Sequence, residues 1–372
     1  MSNTCKWGFL STAEIGKKNW MAIRLAENAA LAGVASRDKA KAQAFIDECQ
    51  GYCSHPTAPA AFGSYEELLA SPEIDAVYIP LPTGLRKQWV IKAAEAGKHV
   101  LVEKPVGVTA DDVVDMIEAC EKNNVQLMDG VMFMHSTRMP ELKAAIHDKD
   151  KVGDLRRITT CFSFCGPDEF FEGNIRLSHD LEPMGCLGDL GWYTSRLVLY
   201  ALDWELPNLV KATMLSSAKR SDSDQEVPTE ISAELFFANG ISASTYNSFR
   251  TEHQQIARFC GSKGFVGIED FVLPFYGGEL GFDVVNNEFH VDGCDFDMEH
   301  HSERRVVKER PNNHASAQET NMIRTFSELV LSGKPDRSWG QMSLATQIVL
   351  DSILEAAITG QPVEPDNRLM GL

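Results

Sequence analysis

Positive charge is scarce in this chain. Over 372 residues, 35 lysines and arginines stand against 53 aspartates and glutamates, a formal net charge of -18 at pH 7. A nucleic-acid backbone or an anionic lipid surface repels such a molecule, so neither is expected as a partner. A phosphate-bearing cofactor held in a locally basic pocket stays compatible with that balance. Long hydrophobic runs are also missing: the apolar stretches are strand-length and soon broken by charge, and no bilayer span is expected. The opening "MSNTCKWGF" has no basic segment leading into an apolar one, so no secretory signal is expected. The nine cysteines are odd in number and scattered. Cys49 and Cys53 near His55, and Cys161 with Cys165, are not followed by a second pair at finger spacing. They are expected to be buried free thiols in a reducing cytoplasm.

Apolar residues at 44% and charged residues at 24% are ordinary for a soluble globular protein, and the length suits two domains. Up to about residue 130, apolar runs ("WGFL", "ALAGVAS", "AVYIPLP", "HVLVEK", "VQLMDGVM") alternate with helical stretches such as "KQWVIKAAEAG". Near-continuous apolar strands separated by amphipathic helices imply an α/β doubly wound parallel sheet, a Rossmann domain over residues 1–130. The rest, 131–372, reads as an α+β domain with a large, mostly antiparallel, open-faced sheet. In "TEISAELFFANGISASTYNSF", Asn239-Gly240 joins two strands, and Ile231, Ala233, Leu235 and Phe237 share one face. Separate strands are read at "GFDVV" and "EFHV", and a solvated acidic loop at "DFDMEHHSE". The helix at 340–360 is expected to pack near the domain junction.

The glycines of a dinucleotide turn are another absence. In "GFLSTAEIG" the three positions of G-x-G-x-x-G are Ser11, Ala13 and Gly16. Ala13 still allows close backbone approach and Gly16 tight helix packing, while Ser11 and Thr12 offer hydroxyls to phosphate. At the next strand end, Ser36 and Arg37 stand where an acidic residue would select NAD; a basic one accommodates the 2′-phosphate of NADP. Arg37 as a solvated first-turn residue is the competing reading, and Asp38 competes with a phosphate.

Two further stretches carry chemistry. "VLVEKP" ends a buried strand in Glu103-Lys104-Pro105, which puts a lysine at the sheet edge where open α/β sheets bind ligands. "GCLGDLGWYTSRLVLY" places Asp189 and Tyr193 four residues apart on one helix face, with Asp189 able to cap that helix. A lysine, a carboxylate and a phenol suit proton transfer to a polyhydroxylated substrate. Each piece also has a plain structural reading.

Together the pieces resemble the glucose-fructose oxidoreductase / inositol dehydrogenase / MocA (Gfo/Idh/MocA) family. The likeness is strongest to its branch with glucose-fructose oxidoreductase, NADP-dependent D-xylose dehydrogenase and dimeric dihydrodiol dehydrogenase. It runs from about residue 5 to 360 through "WGFLSTAEIG", "SRDKAKAQAF", "VLVEKP", "MDGVMFMH" and "LGDLGWY". The resemblance implies a nucleotide-binding cytoplasmic oxidoreductase using NADP, with NAD possible, on a sugar or cyclic diol. It also implies a homodimer or homotetramer formed through the C-terminal sheet. Ser11, Thr12, Ala13 and Ile15 would line the pyrophosphate turn, Ser36 and Arg37 the adenosine end, and Pro80, Leu81 and Pro82 the cofactor's length. Glu103, Lys104 and Pro105 would sit at the nicotinamide, with Lys104, Tyr193 and Asp189 catalytic. Arg176 and His135 would join Lys104, Asp189 and Tyr193 around the substrate. "EPMGCLGD" and "STRMP" depart from the family's usual wording on either side of the site. A dinucleotide-binding sensor without catalysis is the alternative within this fold. A metal-dependent hydrolase built on 295–303 is a third reading, opposed by the lack of calcium-loop or H-E-x-x-H spacing.

Overall fold

The computed structural model describes residues 4–367 and holds two sheets. The first contains β1 (Cys5–Leu10), β2 (Ala29–Ala35), β3 (Ala60–Phe62), β4 (Ala76–Ile79), β5 (His99–Val102) and β6 (Leu127–Asp129). All pair in parallel, in the order β3-β2-β1-β4-β5-β6. Helices α1 (Ile15–Leu25), α2 (Lys39–Tyr52), α3 (Tyr65–Leu69), α4 (Thr83–Glu95) and α5 (Ala110–Lys122) alternate with the strands. Strand order reverses between β1 and β4, which opens a crevice beyond their carboxyl ends.

Helix starts divide into two kinds. The side chains of Asp38, Ser64 and Thr109 accept N–H bonds in the first turns of α2, α3 and α5. Neither α1 nor α4 is capped by the side chain at its own N-cap, Glu14 or Pro82. Those two helices follow β1 and β4, so their positive ends face the crevice.

The second sheet contains β7 (Leu155–Cys165), β8 (Leu209–Ala218), β9 (Val227–Phe236), β10 (Ser242–Ser248), β11 (Arg250–Gly261), β12 (Phe265–Ile268), β13 (Leu280–Asp292) and β14 (Asp295–Val307). Its order is β14-β13-β12-β11-β7-β10-β9-β8, antiparallel apart from the β7–β10 pair. The β9–β10 turn contains Asn239-Gly240, as expected, with Gly240 at φ 78°. The helices of this half are α6 (Arg138–Ile146), α7 (Asp168–Gly173), α8 (Trp192–Ala201), α9 (Gln318–Ser332) and α10 (Ser338–Thr359).

Three expectations need correction. "GFDVV" and "EFHV" form one strand, β13, and the acidic segment is no loop but its partner, β14. Alternation explains it: Phe289, Val291, Phe296 and Met298 share one ribbon face, while Glu288, His290, Asp297, Glu299 and His301 share the other. The thiols are free but not all buried, since Cys165 and Cys294 are exposed. Finally, α9 leaves the second half and covers the first sheet, where Phe326 packs on Trp7 and Ser327 accepts its indole N–H at 3.1 Å.

Among the described residues, α10 is the one helix long and apolar enough to cross a membrane. Here it is a core helix, packed against β8, β6, α5 and α8 at the junction of the halves. A continuous apolar core runs from Leu10, Val77 and Val102 through Leu344 and Ile348 to Leu197 and Val210. Asp351 on α10 accepts the Ala110 N–H at 2.7 Å, and burial pushes its carboxyl up to about 6. A raised carboxylate gives its full stability below the unfolded value of about 3.9 and loses it as pH rises through the folded one. Asp351→Asn should therefore gain stability relative to wild type as pH goes from 4 to 7, read as the difference in urea midpoints. A constant difference would contradict this.

Candidate active site

A cavity of about 710 Å³ lies at the carboxyl edge of β1, β4 and β5 and reaches under the second sheet. Its floor comes from the first half: Ser11, Ala13, Ile15, Pro80, Leu81, Pro82, Glu103, Lys104 and Pro105. Its far wall comes from the second, with Phe162, Phe164, Arg176, Asp189, Tyr193 and His253.

Asp189 sits at the centre of the polar part. It lies inside a wide helical turn, Leu187–Gly191, continuous with α8, so it caps nothing. Its carboxylate is instead shared. Lys104 Nζ donates to Oδ1 at 2.6 Å and to the backbone carbonyl of Asp189 at 2.7 Å, and Arg176 Nε donates to Oδ2 at 2.6 Å. Burial alone would raise this carboxyl; the charges of Lys104 and Arg176 and their hydrogen bonds overcome it and hold the group well below the usual carboxylate range. An ammonium has three donors, so two spent on Asp189 leave one. Gly188 brings this turn against the lysine's neighbour: a Cβ there would meet Pro105 Cγ at 3.3 Å.

Tyr193 follows one turn later. The Lys104 ammonium lies 4.7 Å from its ring centroid, and Phe162 and Phe133 pack on the ring. Burial first, then the negative charges of Glu103 and Asp189, push the phenol well above its ordinary value, so it is neutral at physiological pH. Below α8, Asp129 at the end of β6 accepts from Trp192 Nε1 at 3.2 Å and pairs with Arg196, both fully buried. That pair fixes the helix that carries Tyr193. Glu103 is held from beneath, its Oε1 accepting the buried Tyr78 hydroxyl at 2.6 Å.

The expected cofactor residues divide. Ser11, Ala13, Ile15, Pro80, Leu81, Pro82, Glu103, Lys104 and Pro105 line the cavity. Thr12, Ser36 and Arg37 are not among its lining residues; Ser36 and Arg37 follow β2, the neighbour of β1, with Arg37 exposed. The Asp38 carboxylate is occupied as the α2 cap, accepting the Ala40 N–H at 2.9 Å. Ser11 has φ 150°, in a region glycine normally fills, and its hydroxyl accepts the Ala13 N–H at 3.1 Å. The chain thus keeps the backbone shape of the glycine turn without the glycine. That shape, the uncapped start of α1 and Gly16 against Phe9 and Phe45 fit a dinucleotide's pyrophosphate.

One expected substrate residue does not reach the cavity. His135 stacks on Trp339, with ring centroids 4.8 Å apart, and does not line the cavity. Burial, with the Arg196 charge adding, pulls its imidazole down to about 3. It is a packing residue between the start of α6 and α10. Conversely, Arg86, Glu182, Phe164 and His253 line the cavity without having been singled out in the sequence. The signal was faint: "TGLRKQ" opens a helix right after the cofactor strand, and a buried arginine there needs a partner. Glu288, Glu299 and His301 bring ligand atoms within 4.8 Å of one another on the exposed ribbon, and none of them lines the cavity.

A crevice at the strand-order reversal, a glycine-shaped turn before a helix start, and a lysine–carboxylate–phenol group define a dinucleotide-dependent oxidoreductase. Comparison with known proteins agrees. Residues 6–131 match the model of an oxidoreductase family with an NAD-binding Rossmann fold, and residues 141–266 match the GFO/IDH/MocA C-terminal domain. The chain belongs to the Gfo/Idh/MocA oxidoreductase family and is an NAD(P)-dependent oxidoreductase. It is 33% identical to D-xylose 1-dehydrogenase (NADP(+)) 2 of Haloferax volcanii, over 97% of this chain and 99% of that one. It is 26% identical to trans-1,2-dihydrobenzene-1,2-diol dehydrogenase of Xenopus tropicalis, over 79% and 87%. The fold matches an aldose-aldose oxidoreductase of Caulobacter crescentus, with TM-score 0.79 and 24% identity over 97% and 99% of the chains. It also matches a 3-ketoreductase of Actinomadura kijaniata in complex with NADP and TDP-benzene, with TM-score 0.78 and 24% identity over 95% and 98%.

Removing the guanidinium under α8 strands a buried carboxylate, so Arg196→Met should cost about 3–5 kcal/mol of stability. Urea unfolding measures it, and a loss below 1 kcal/mol would show the pair to be dispensable.

Proposed function

We propose that this protein is an NADP-preferring dehydrogenase or reductase that interconverts a CH–OH and a carbonyl on a sugar or related cyclic polyol. The observation that carries the reading is the Asp189 carboxylate joining Lys104 to Arg176 one helical turn from Tyr193. A sensor that only bound the dinucleotide would have no use for that set. When bound, the nicotinamide supplies the redox half, taking or giving the hydride that leaves or joins the substrate carbon.

The chain's own work is the proton and the position. Tyr193, held neutral by its surroundings, donates to the oxygen of a carbonyl being reduced. Lys104, anchored by two bonds to Asp189, turns its remaining donor to the same oxygen and stabilises the alkoxide as it develops. Asp189 and Arg176 orient the neighbouring hydroxyls. Phe162 and Phe164 offer flat apolar faces to the C–H side of a sugar ring and keep water from the reacting carbon. Beyond the cavity, at the end of β2, Ser36 and Arg37 receive a 2′-phosphate, and Asp38, engaged as a helix cap, offers it less opposition.

The site works on a small molecule in a solvent-accessible cleft, and the reading extends to a cytoplasmic enzyme that pairs through its C-terminal sheet. The relatives named above as D-xylose and dihydrodiol dehydrogenases support the substrate class.

The test is cofactor reduction with NADP and NAD against a panel of aldoses and cyclic diols. Lys104→Met and Tyr193→Phe should each lower kcat by roughly 10²–10⁴-fold while NADP binding holds within about threefold. Wild-type turnover in both variants sinks the mechanism; tight NADP binding with no turnover of any substrate favours the sensor. Because the phenol is held protonated, oxidation of the alcohol must gain speed as pH rises from 7 to 10, and Tyr193→Phe should abolish that slope. Arg37→Ala should weaken NADP by about tenfold and leave NAD unchanged; an equal loss for both removes its assigned role.

A further inference from the structure

The segment carrying Arg176 belongs to the second half of the chain, yet it is tied to the first at a different place from the Lys104 contact. The start of α4 shows how. Its N-cap, Pro82, offers no side-chain acceptor, and the carboxylate of Glu182 supplies one from across the cleft. Glu182 Oε1 accepts the Thr83 N–H at 3.0 Å, and Oε2 accepts the Thr83 hydroxyl at 2.6 Å. Next to it, the Gly84 N–H donates to the Leu181 carbonyl at 3.0 Å. A Cβ on Gly84 would come within 2.5 Å of the Asp180 carbonyl oxygen, so glycine is what permits the approach.

The contact continues into the floor of the cavity. Thr83 Oγ1 accepts from Arg86 Nη1 at 3.0 Å. The same guanidinium donates to the Leu81 carbonyl at 2.7 Å and to that of Pro105. Arg86 is buried at 5% exposure, and Glu182 is the foremost negative charge acting on it. One chain of hydrogen bonds thus joins three walls of the cavity: Pro80–Pro82, Lys104–Pro105 and the Arg176 segment. A carboxylate on a helix N-terminus and a hydroxyl relay are charge-assisted bonds, the strong kind.

We propose that Glu182 is a positioning residue, a latch that closes the Arg176-bearing segment 174–184 onto the N-terminus of α4 and so fixes Arg176 and Asp189 for substrate. It acts through Thr83 and Gly84, not by contact with the reacting atoms. The consequence for catalysis rests on the dehydrogenase reading above; the latch itself does not. Opening it leaves the cofactor turn at Ser11–Ile15 intact but lets the substrate wall drift, so the loss falls on substrate affinity.

The test combines Glu182→Gln, Thr83→Val, their double variant, Gly84→Ala and Thr83→Ser in the full-length chain. Amide hydrogen exchange at 83–84 and 174–184, measured without substrate, should speed up roughly tenfold in the first four and stay near wild type in Thr83→Ser. With D-xylose as probe, KM should rise about tenfold and kcat stay within about threefold, with NADP affinity within about twofold. The double variant should be no worse than either single one, because both remove the same contact. Additive effects of Glu182→Gln and Thr83→Val overturn the latch, as does unchanged exchange at both segments. An equal loss of NADP affinity also overturns it, since that would make Glu182 a support of the cofactor cleft. If wild type turns over no aldose or diol, the dehydrogenase reading fails while the exchange data still decide the latch.

Discussion

Everything in this site depends on one shared carboxylate. Asp189 is largely withdrawn from solvent, and an isolated ion there would be costly; it persists because Lys104 reaches it from one half of the chain and Arg176 from the other half's outer segment. Lys104 comes at the end of β5, Asp189 from the turn before α8, and Tyr193 from the first turn of α8 itself. The apolar core around α10 joins the two halves, and the shared aspartate ties their facing walls at the cavity. The same charges set the chemistry, since Asp189 and Glu103 help keep the Tyr193 phenol protonated.

The two halves are less separate than their sheets suggest. α9 returns to cover the first sheet and α10 lies at the junction, so both chain segments beyond the second sheet serve the first. Opposed to this rigidity are the two uncapped helix starts. The start of α1 faces the cleft beneath the glycine-shaped turn at Ser11, and that of α4 is completed by Glu182. Where α2, α3 and α5 satisfy a first-turn amide with the side chain at their own N-cap, these two leave theirs for a ligand or for the opposite wall.

Much of the fold could be read from pattern. β4 is buried throughout and β5 from Val100 onward, and those stretches are short unbroken apolar runs. The hairpin at Asn239-Gly240 has its own turn chemistry. The ribbon of β13 and β14 escaped because its alternation is between exposed apolar and exposed charged residues, so it carries no burial signal. At the site, Glu103, Lys104, Asp189 and Tyr193 were legible as motifs and Arg176 only through the family resemblance, and all five line the cavity. His135 misled because a histidine beside a site motif reads the same whether it faces substrate or, as here, stacks on a tryptophan 204 positions further along. Arg86 lies in no motif, and Glu182 opens "EPMGCLGD", which reads only as a departure from the family's wording; their meaning comes from a contact across 99 residues between Thr83 and Glu182.

The sequence by itself determined the class of each domain, the strand ends that carry chemistry and the residue types available there, because these depend on periodicity and short-range spacing. Tertiary structure alone decided that Asp189 is a shared counter-ion and not a helix cap, that Ser11 takes a glycine's backbone angle, and that Glu182 closes the helix of the opposite half. Those outcomes follow from burial and from charges brought together across the fold, and neither is a property of any local stretch of chain.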